Sequence, residues 1–304
     1  MARPAPATRP GGAARGTNRF PYLLVLPAVL LFAAFVVAPG IYALVLSFQR
    51  RKINGGLLGG GTHTVWAGLA NYRDVLGDSE LWSSVLRMLT LGAITVPATV
   101  LFALLFAVLL DMERTRLKRV TRLTIFLPYA VPGVIASLMW GFLYLPATSP
   151  IGGDHVDFFG QAAVYLSVSN VAVWAAVGFN MIVIYTALRA LPAELYESAR
   201  LDGASEWQIV RRIKVPMVMP AVVMCCLFTV LAALQVFNEP NTLKPLSNAI
   251  SSTWVPLMKI YDDAFGNSDI YSAAATSVVL TVGALTVSFV TARVIQSRVQ
   301  QEAK

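Results

Sequence analysis

The side chains able to do chemistry gather in one polar stretch between two apolar ones: Glu194-Leu-Tyr-Glu197-Ser198-Ala199-Arg200-Leu-Asp202-Gly203-Ala204-Ser205-Glu206-Trp207-Gln208-Ile-Val-Arg211-Arg212-Ile213-Lys214-Val-Pro216. Such a structured run of carboxylates and basic groups suits gripping a partner. Elsewhere the chemistry is thin. Asp154, His155 and Asp157 include paired acids that could exchange protons, but they lie in a Gly/Pro-rich connection, which argues against catalysis. The two histidines, His63 and His155, each stand alone in a loop, so no metal site is expected. Cys225 and Cys226 are neighbours inside an apolar run and read as small buried apolar residues. No Walker A pattern and no Gly-rich dinucleotide fingerprint occurs, so the chain is not expected to bind ATP by that route.

The polar stretch predicts two short helices joined at a glycine. Pro192 suits a first helical turn, where its missing N–H costs nothing. Glu194 and Glu197 then sit near the positive end of the helix dipole. The helix stops at Asp202-Gly203, because Gly203 accepts the positive φ that a sharp reversal needs; Asp202 is placed to cap that turn. Ser205 and Gln208 have capping-box spacing. Trp207, Val210 and Ile213 form an apolar stripe flanked by Arg211, Arg212 and Lys214, and Pro216 ends the helix. A helix resting on lipid headgroups, with Trp207 dipped in, explains the second half of this loop. It does not explain the acidic first half, since anionic lipid repels Glu194, Glu197 and Asp202. Docking in a protein groove accounts for both.

A bundle of membrane spans must position this loop. Of 304 residues, 56% are hydrophobic and 13% charged, against roughly 25% charged in soluble domains; the mean hydropathy is +0.64. The fold class is therefore all-α polytopic membrane protein. Six apolar segments, about 21–48, 88–110, 122–145, 167–190, 217–238 and 271–292, approach or exceed the roughly 20 residues that cross a hydrocarbon core. The first is too long for the apolar part of a signal peptide and ends without a small-residue cleavage site, so it reads as a retained span. Residues 1–20 read as a disordered tail, 21–295 as the six-span domain and 296–304 as a second tail. With the N-terminus inside, 17 of the 24 basic residues fall on the inner side, which favours cytoplasmic termini. Arg50-Arg51-Lys52 is the dissenting run. The net charge of +8 thus marks topology and contact with membrane lipid, and no nucleic-acid partner is expected.

Pro128, Pro132, Gly133 and Gly178 interrupt the third and fourth segments. Such breaks survive in a membrane only where neighbours or a cavity satisfy the freed backbone groups; for the third segment a kink, a hinge and a cavity lining all fit. In the outer connection 49–87, a glycine-rich start reads as mobile, and Tyr72 to Trp82 reads as an amphipathic helix, either a packing lid or a docking element.

The spacing Glu197-x-Ala199, Asp202-Gly203-Ala204, Ile213-x-x-Pro216 resembles the "EAA" loop of ABC importer permeases. Leu26-Pro27-Ala28, Gly68-Leu-Ala-Asn71-Tyr72, Phe126-Leu127-Pro128 and Gln235-Val-Phe237-Asn-Glu239-Pro240 are similar to other segments of the MalF/UgpA-type permeases of carbohydrate importers. The chain departs from that pattern at Ser198, at Arg87-Met88 and at Lys244-Pro245-Leu246, where Gly-Gly-Pro is usual. The resemblance implies a six-span MetI-like permease in a bacterial-type plasma (inner) membrane. Its partners would be a second, homologous permease, two ABC ATPase subunits that bind ATP and Mg, and an extracellular or lipid-anchored solute-binding protein. The chain itself would be no enzyme and hold no cofactor. Glu197, Ser198, Ala199, Asp202, Gly203 and Ala204 would couple to the ATPase. A sugar would pass along spans four and five, where Trp174, Phe179, Asn180, Thr229 and Gln235 are either contacts or packing residues.

Three rival readings remain. An intramembrane enzyme needs ionisable groups at membrane depth, and no Asp, Glu or His lies within the six cores. A gradient-driven secondary transporter commonly shows internal repeats and buried ionisable groups, neither of which is evident. The same importer could also carry another solute, such as glycerol-3-phosphate.

Overall fold

The computed structural model describes residues 20–53, 62–112, 117–150 and 156–302. The expected disordered tail up to residue 19, the glycine-rich run at 55–61, and Asp154 with His155 lie outside the described residues. Two compact units divide the chain after Val45. The first is one apolar helical run: α1 (Phe20–Phe32), a π turn (Ala33–Val37) and most of α2 (Ala38–Ser47). Apolar residues occupy every face, the composition of a helix solvated by hydrocarbon.

The second unit opens with a hairpin that the sequence reading does not contain. Strand β1 (Gln49–Ile53) pairs antiparallel with β2 (Thr62–Trp66), Gln49 facing Trp66 and Ile53 facing Thr62. Helix α3 (Ala70–Gly77) follows, close to where an amphipathic helix is expected. Its buried Asn71 donates from Nδ2 to the carbonyls of Ser47 (2.9 Å) and Gln49 (2.6 Å). Arg50 donates to Asn71 Oδ1 at 3.0 Å and pairs with Asp74. The dissenting basic run is thus partly a structural pin.

Helix α4 (Ser79–Asp111) starts nine residues before the apolar segment that signals it. Asp78 caps it, accepting from the Glu80 N–H at 2.8 Å. Leu91, Thr95, Thr99, Ala103 and Ala107 are buried at every fourth position. Small residues on one stripe let two helix backbones approach closely, and this stripe lies against α7 (Ala163–Arg189).

The third segment is not one kinked span. It is α5 (Lys118–Phe126), a 3₁₀ turn (Leu127–Ala130) and α6 (Gly133–Tyr144), with the two halves bent by 99°. Two prolines four residues apart remove two N–H donors. Leu127, before Pro128, stays helical, but Val131, before Pro132, is driven out of the helical region, with ψ 126°. Gly178 does not interrupt α7, which is continuous. A Cβ at 178 would collide with the Ile125 carbonyl oxygen and lie 2.7 Å from Phe126 Cα. The glycine is there for close approach.

Short helices α8 (Glu194–Leu201) and α9 (Glu206–Ile209) form the polar loop, which leads into α10 (Val215–Leu234). Then come α11 (Asn238–Leu243), α12 (Pro256–Tyr261) and α13 (Ile270–Glu302), the last running unbroken past the expected boundary at 295. Among the described residues five helices are long and apolar enough to cross a membrane, six with the bent pair. Most of the core is in two parts, with a small third cluster of Val75, Leu81 and Ala275. One gathers Met88, Leu91, Val164, Val168, Leu243 and Trp254; the other gathers Ala103, Ala107, Met181, Ile184, Leu188 and Val218. The second part lies at the end of the bundle that carries the polar loop.

Inserting even one methyl into a filled core costs about 1–3 kcal/mol, and a rigid backbone neighbour puts the cost at the upper end. Gly178→Ala should therefore lower the thermal unfolding temperature of the solubilised protein markedly. Gly92→Ala should not, because its Cβ would meet only Ala233 Cβ at an ordinary 3.6 Å. Equal unfolding temperatures for the two variants would refute the close contact.

At the far end, Lys259 Nζ lies 2.9 Å from Asp78 Oδ2 and 3.2 Å from Asp263 Oδ2. Burial alone would raise the Asp78 carboxyl, but the Lys259 hydrogen bond and the Glu80 and Leu81 N–H groups outweigh it, leaving it below its ordinary 3.8. Burial would likewise lower Lys259, yet the Asp78 bond and the Asp263 charge raise it above 10.5. The cluster therefore stabilises fully between those two ordinary values. Its contribution fades as pH falls through the depressed Asp78 value or rises through the elevated Lys259 value. Lys259→Met should be less stable at pH 7 and should lose the alkaline step in unfolding temperature against pH; an unchanged alkaline limb would assign that step elsewhere.

Candidate functional site

The polar loop is fixed by backbone bonds at its turn. The N–H of Ala204 donates to the Ala199 carbonyl at 2.9 Å, and the N–H of Gly203 to the Arg200 carbonyl at 3.0 Å. This is the double bond pattern of a Schellman cap, in which the residue after the cap is left-handed; Gly203 has φ +82°. A Cβ there would meet nothing within 4 Å, so the glycine answers to backbone conformation alone. The cap also favours an apolar contact between Ala199 and Ala204 positions. Asp202 occupies the C-cap with φ −74° and ψ 2°; the turn is closed by main-chain groups and not by its carboxylate. Ser205 and Gln208 form the expected capping box, with Ser205 N donating to Gln208 Oε1 at 2.7 Å. Arg200 bridges the turn to Glu206 at 2.9 Å.

Pro216 does not end the second helix. A π turn (Val210–Lys214) carries α9 directly into α10, the Val215 N–H bonding back to the Val210 carbonyl, and Pro216, which has no N–H to continue that ladder, follows immediately. Ile209 and Val210 are buried, as is Lys214. Glu194, Glu197, Ser198 and Asp202 are exposed, and so are Leu201 (89%) and Trp207 (69%). On α8 only Tyr196 and Ala199 are partly covered. Lys214 Nζ pairs with Asp111 Oδ2 at 2.5 Å and lies 4.7 Å from the Tyr196 ring centroid. Arg189 stands 4.0 Å from Asp111. Burial first, and then the Asp111 carboxylate, push the Tyr196 phenol above its ordinary value.

A second feature lies between the two parts of the core. A cavity of about 310 Å³ is lined by α4, the broken third segment, α7, the end of α10 and the residues that follow it. Thr229 and Gln235, two of the five candidate pathway residues, line it together with Thr95, Tyr129, Asn238 and Glu239. The other three candidates do not line it. Trp174 packs edge-on against Trp140 in the core, with centroids 5.9 Å apart. Phe179 stacks on Tyr129 at 5.0 Å. Asn180 is buried, and its Nδ2 donates to the Ala176 carbonyl at 2.9 Å. Among the described residues, no lysine or arginine lines the cavity.

A family model described as "Binding-protein-dependent transport system inner membrane component" matches residues 65–301. The chain belongs to that family. It is a multi-pass permease subunit of an ABC importer, not an enzyme. The permease is 30% identical over 274 residues to the trehalose transport system permease protein SugA of Mycobacterium tuberculosis, covering 88% of this chain and 86% of that one. It is 27% identical over 296 residues to the sn-glycerol-3-phosphate permease UgpA of Salmonella typhimurium, covering 93% and 96%. In fold it matches a crystal structure of a bacterial ABC transporter involved in the import of the acidic polysaccharide alginate, with a TM-score of 0.76, 21% identity and 92% of this chain covered.

In the permease, then, the sequence reading locates the loop but not what it rests on. Asp111 and Lys214 sit at the margins of apolar segments, where a charge reads as a topology marker. Their pairing across 103 residues of sequence leaves no local signal. Glu239 and Asn238 stand beside Gln235 and were accessible to the same reasoning that found it.

The exposed acid and the left-handed turn yield a test. Glu197→Lys reverses an exposed charge; Gly203→Val forces a β-branched residue into a conformation costing about 1–2 kcal/mol. Both variants should stay in the membrane at normal level while solute uptake collapses, and Gly203→Asn, which tolerates the left-handed region, should retain most of it. Normal uptake by the first two would remove the loop from the transport cycle.

Proposed function

We propose that the permease is one of two homologous membrane subunits of an ATP-driven importer for uncharged carbohydrate. The cavity lining carries this reading. Hydroxyl, amide and carboxylate groups of Thr95, Tyr129, Thr229, Gln235, Asn238 and Glu239 meet a wall of Val168, Ala172, Ala175, Ala176 and Phe237. A sugar needs that combination, apolar surface for its C–H faces and convergent acceptors and donors for its hydroxyls. A phosphate or uronate needs a cationic partner, and Glu239 would oppose one. The trehalose permease SugA is the relative whose cargo fits these groups; the glycerol-3-phosphate permease UgpA and the alginate transporter carry anions.

The finer assignments follow the same reading. Two ATPase copies hold the ATP and Mg and seat α8, whose Glu197 and Leu201 are open to them. Glu197, Ser198, Ala199, Asp202, Gly203 and Ala204 are the coupling residues. The loop end of the bundle and both termini face the cytoplasm, in keeping with the basic residues concentrated there. A binding protein delivers the solute to the opposite face. Closure of the ATPase dimer moves the loop as a rigid body and exchanges inward-open for outward-open states.

The complete complex in proteoliposomes tests this. Uptake of a labelled neutral disaccharide should require ATP and survive collapse of proton and sodium gradients. Glu239→Gln and Gln235→Ala should each raise the KM for that sugar, by about tenfold for the charged hydrogen bond, at unchanged protein level. Preference for glycerol-3-phosphate, or dependence on an ion gradient instead of ATP, would overturn the reading.

A further inference from the structure

The mutual burial of Asp111 and Lys214 asks for an explanation that stability does not supply. Taking two charges out of water is unfavourable, and apolar side chains of similar volume at such a site are often as stable or more so. The pair sits where four elements converge. Asp111 is the last residue of α4. Lys214 closes the π turn before α10. Arg189, 4.0 Å from the carboxylate, ends α7. Tyr196, its ring 4.7 Å from the Lys214 ammonium, is the largest side chain that α8 tucks inward.

We infer that Tyr196, Lys214 and Asp111 form a joint that transmits displacement of α8 into α4. This rests on the importer reading above. The main chain already carries α8 into α10, through the Gly203 turn and the continuous run of α9, the π turn and α10, and into α7, through residues 190–193. Neither route reaches α4. The joint does, and α4 carries the small-residue stripe that lies against α7. A cation over an aromatic ring at one side and a charge-assisted hydrogen bond at the other resist both pulling and sliding, whereas an apolar contact resists sliding poorly. Tyr196 precedes the exposed Glu197, so a partner gripping the acid moves the ring with it. The three are positioning residues and touch no solute.

The experiment uses the complete complex, with its paired permease, ATPase and binding protein, in proteoliposomes. Asp111→Leu/Lys214→Met removes both charges without stranding either. It should assemble normally and keep basal ATP hydrolysis, while stimulation by solute-loaded binding protein and uptake fall by about tenfold, the scale of a typical coupling energy. Tyr196→Ala should do the same, and Tyr196→Phe, which keeps the ring, should behave as wild type. Uptake by the double variant within twofold of wild type would overturn the joint. So would failure of the double variant to assemble, which would make the pair a folding element. Wild-type uptake without ATP would instead overturn the importer reading, and the joint with it.

Discussion

The bundle depends on one place where backbone touches backbone. Residues Ile125 and Phe126 lie so close to α7 that position 178 has no room for a side chain. Because α5 is held there, the chain beyond it has to turn, and the 3₁₀ turn and Pro132 take it through the bend into α6. The bend in turn leaves Tyr129, Val131 and Gly133 facing inward as cavity wall. Freed backbone groups in a hydrocarbon setting survive only beside protein or water, and this wall provides such a setting. The cavity is thus a consequence of the contact at 178.

The loop obeys a different economy of parts. Its first helix hangs from α7 by residues 190–193 and is held by a turn and one ring; its second is continuous with a membrane span. The π turn at Val210–Lys214 is the device that lets both be true. It adds a residue to one helical turn and so rotates Lys214 inward while Arg211 and Arg212 stay out. Single π turns inside longer helices occur frequently at functional sites. Here the inserted residue supplies the only charged group of the loop that is buried among the described residues.

Local signals were readable and long-range ones were not. Proline, the left-handed glycine and the serine–glutamine box act within a few residues, and the structure contains the turn and the capping box that they predict. The apolar segments mark the spans because hydrocarbon imposes composition on every residue. The hairpin was missed because its two strands are short and separated by a glycine-rich connection. Gly178 was misread because a glycine that admits a neighbour looks, in sequence, like a glycine that breaks a helix. Residue type leaves Trp174, Phe179 and Asn180 open between contact and packing, because what decides is which face of α7 they occupy and what stands opposite. The Asp111–Lys214 pair needed the fold to bring its halves together.

Leu201 is 89% exposed and Trp207 69% exposed beside a charged turn. A chain newly inserted in the membrane carries these two side chains uncovered. Exposed apolar groups of that kind are what holding chaperones and quality-control proteases recognise. Were the loop to dock as proposed, an unassembled subunit would display both side chains and a complete complex would hide them, which would tie the lifetime of the chain to the supply of its partner.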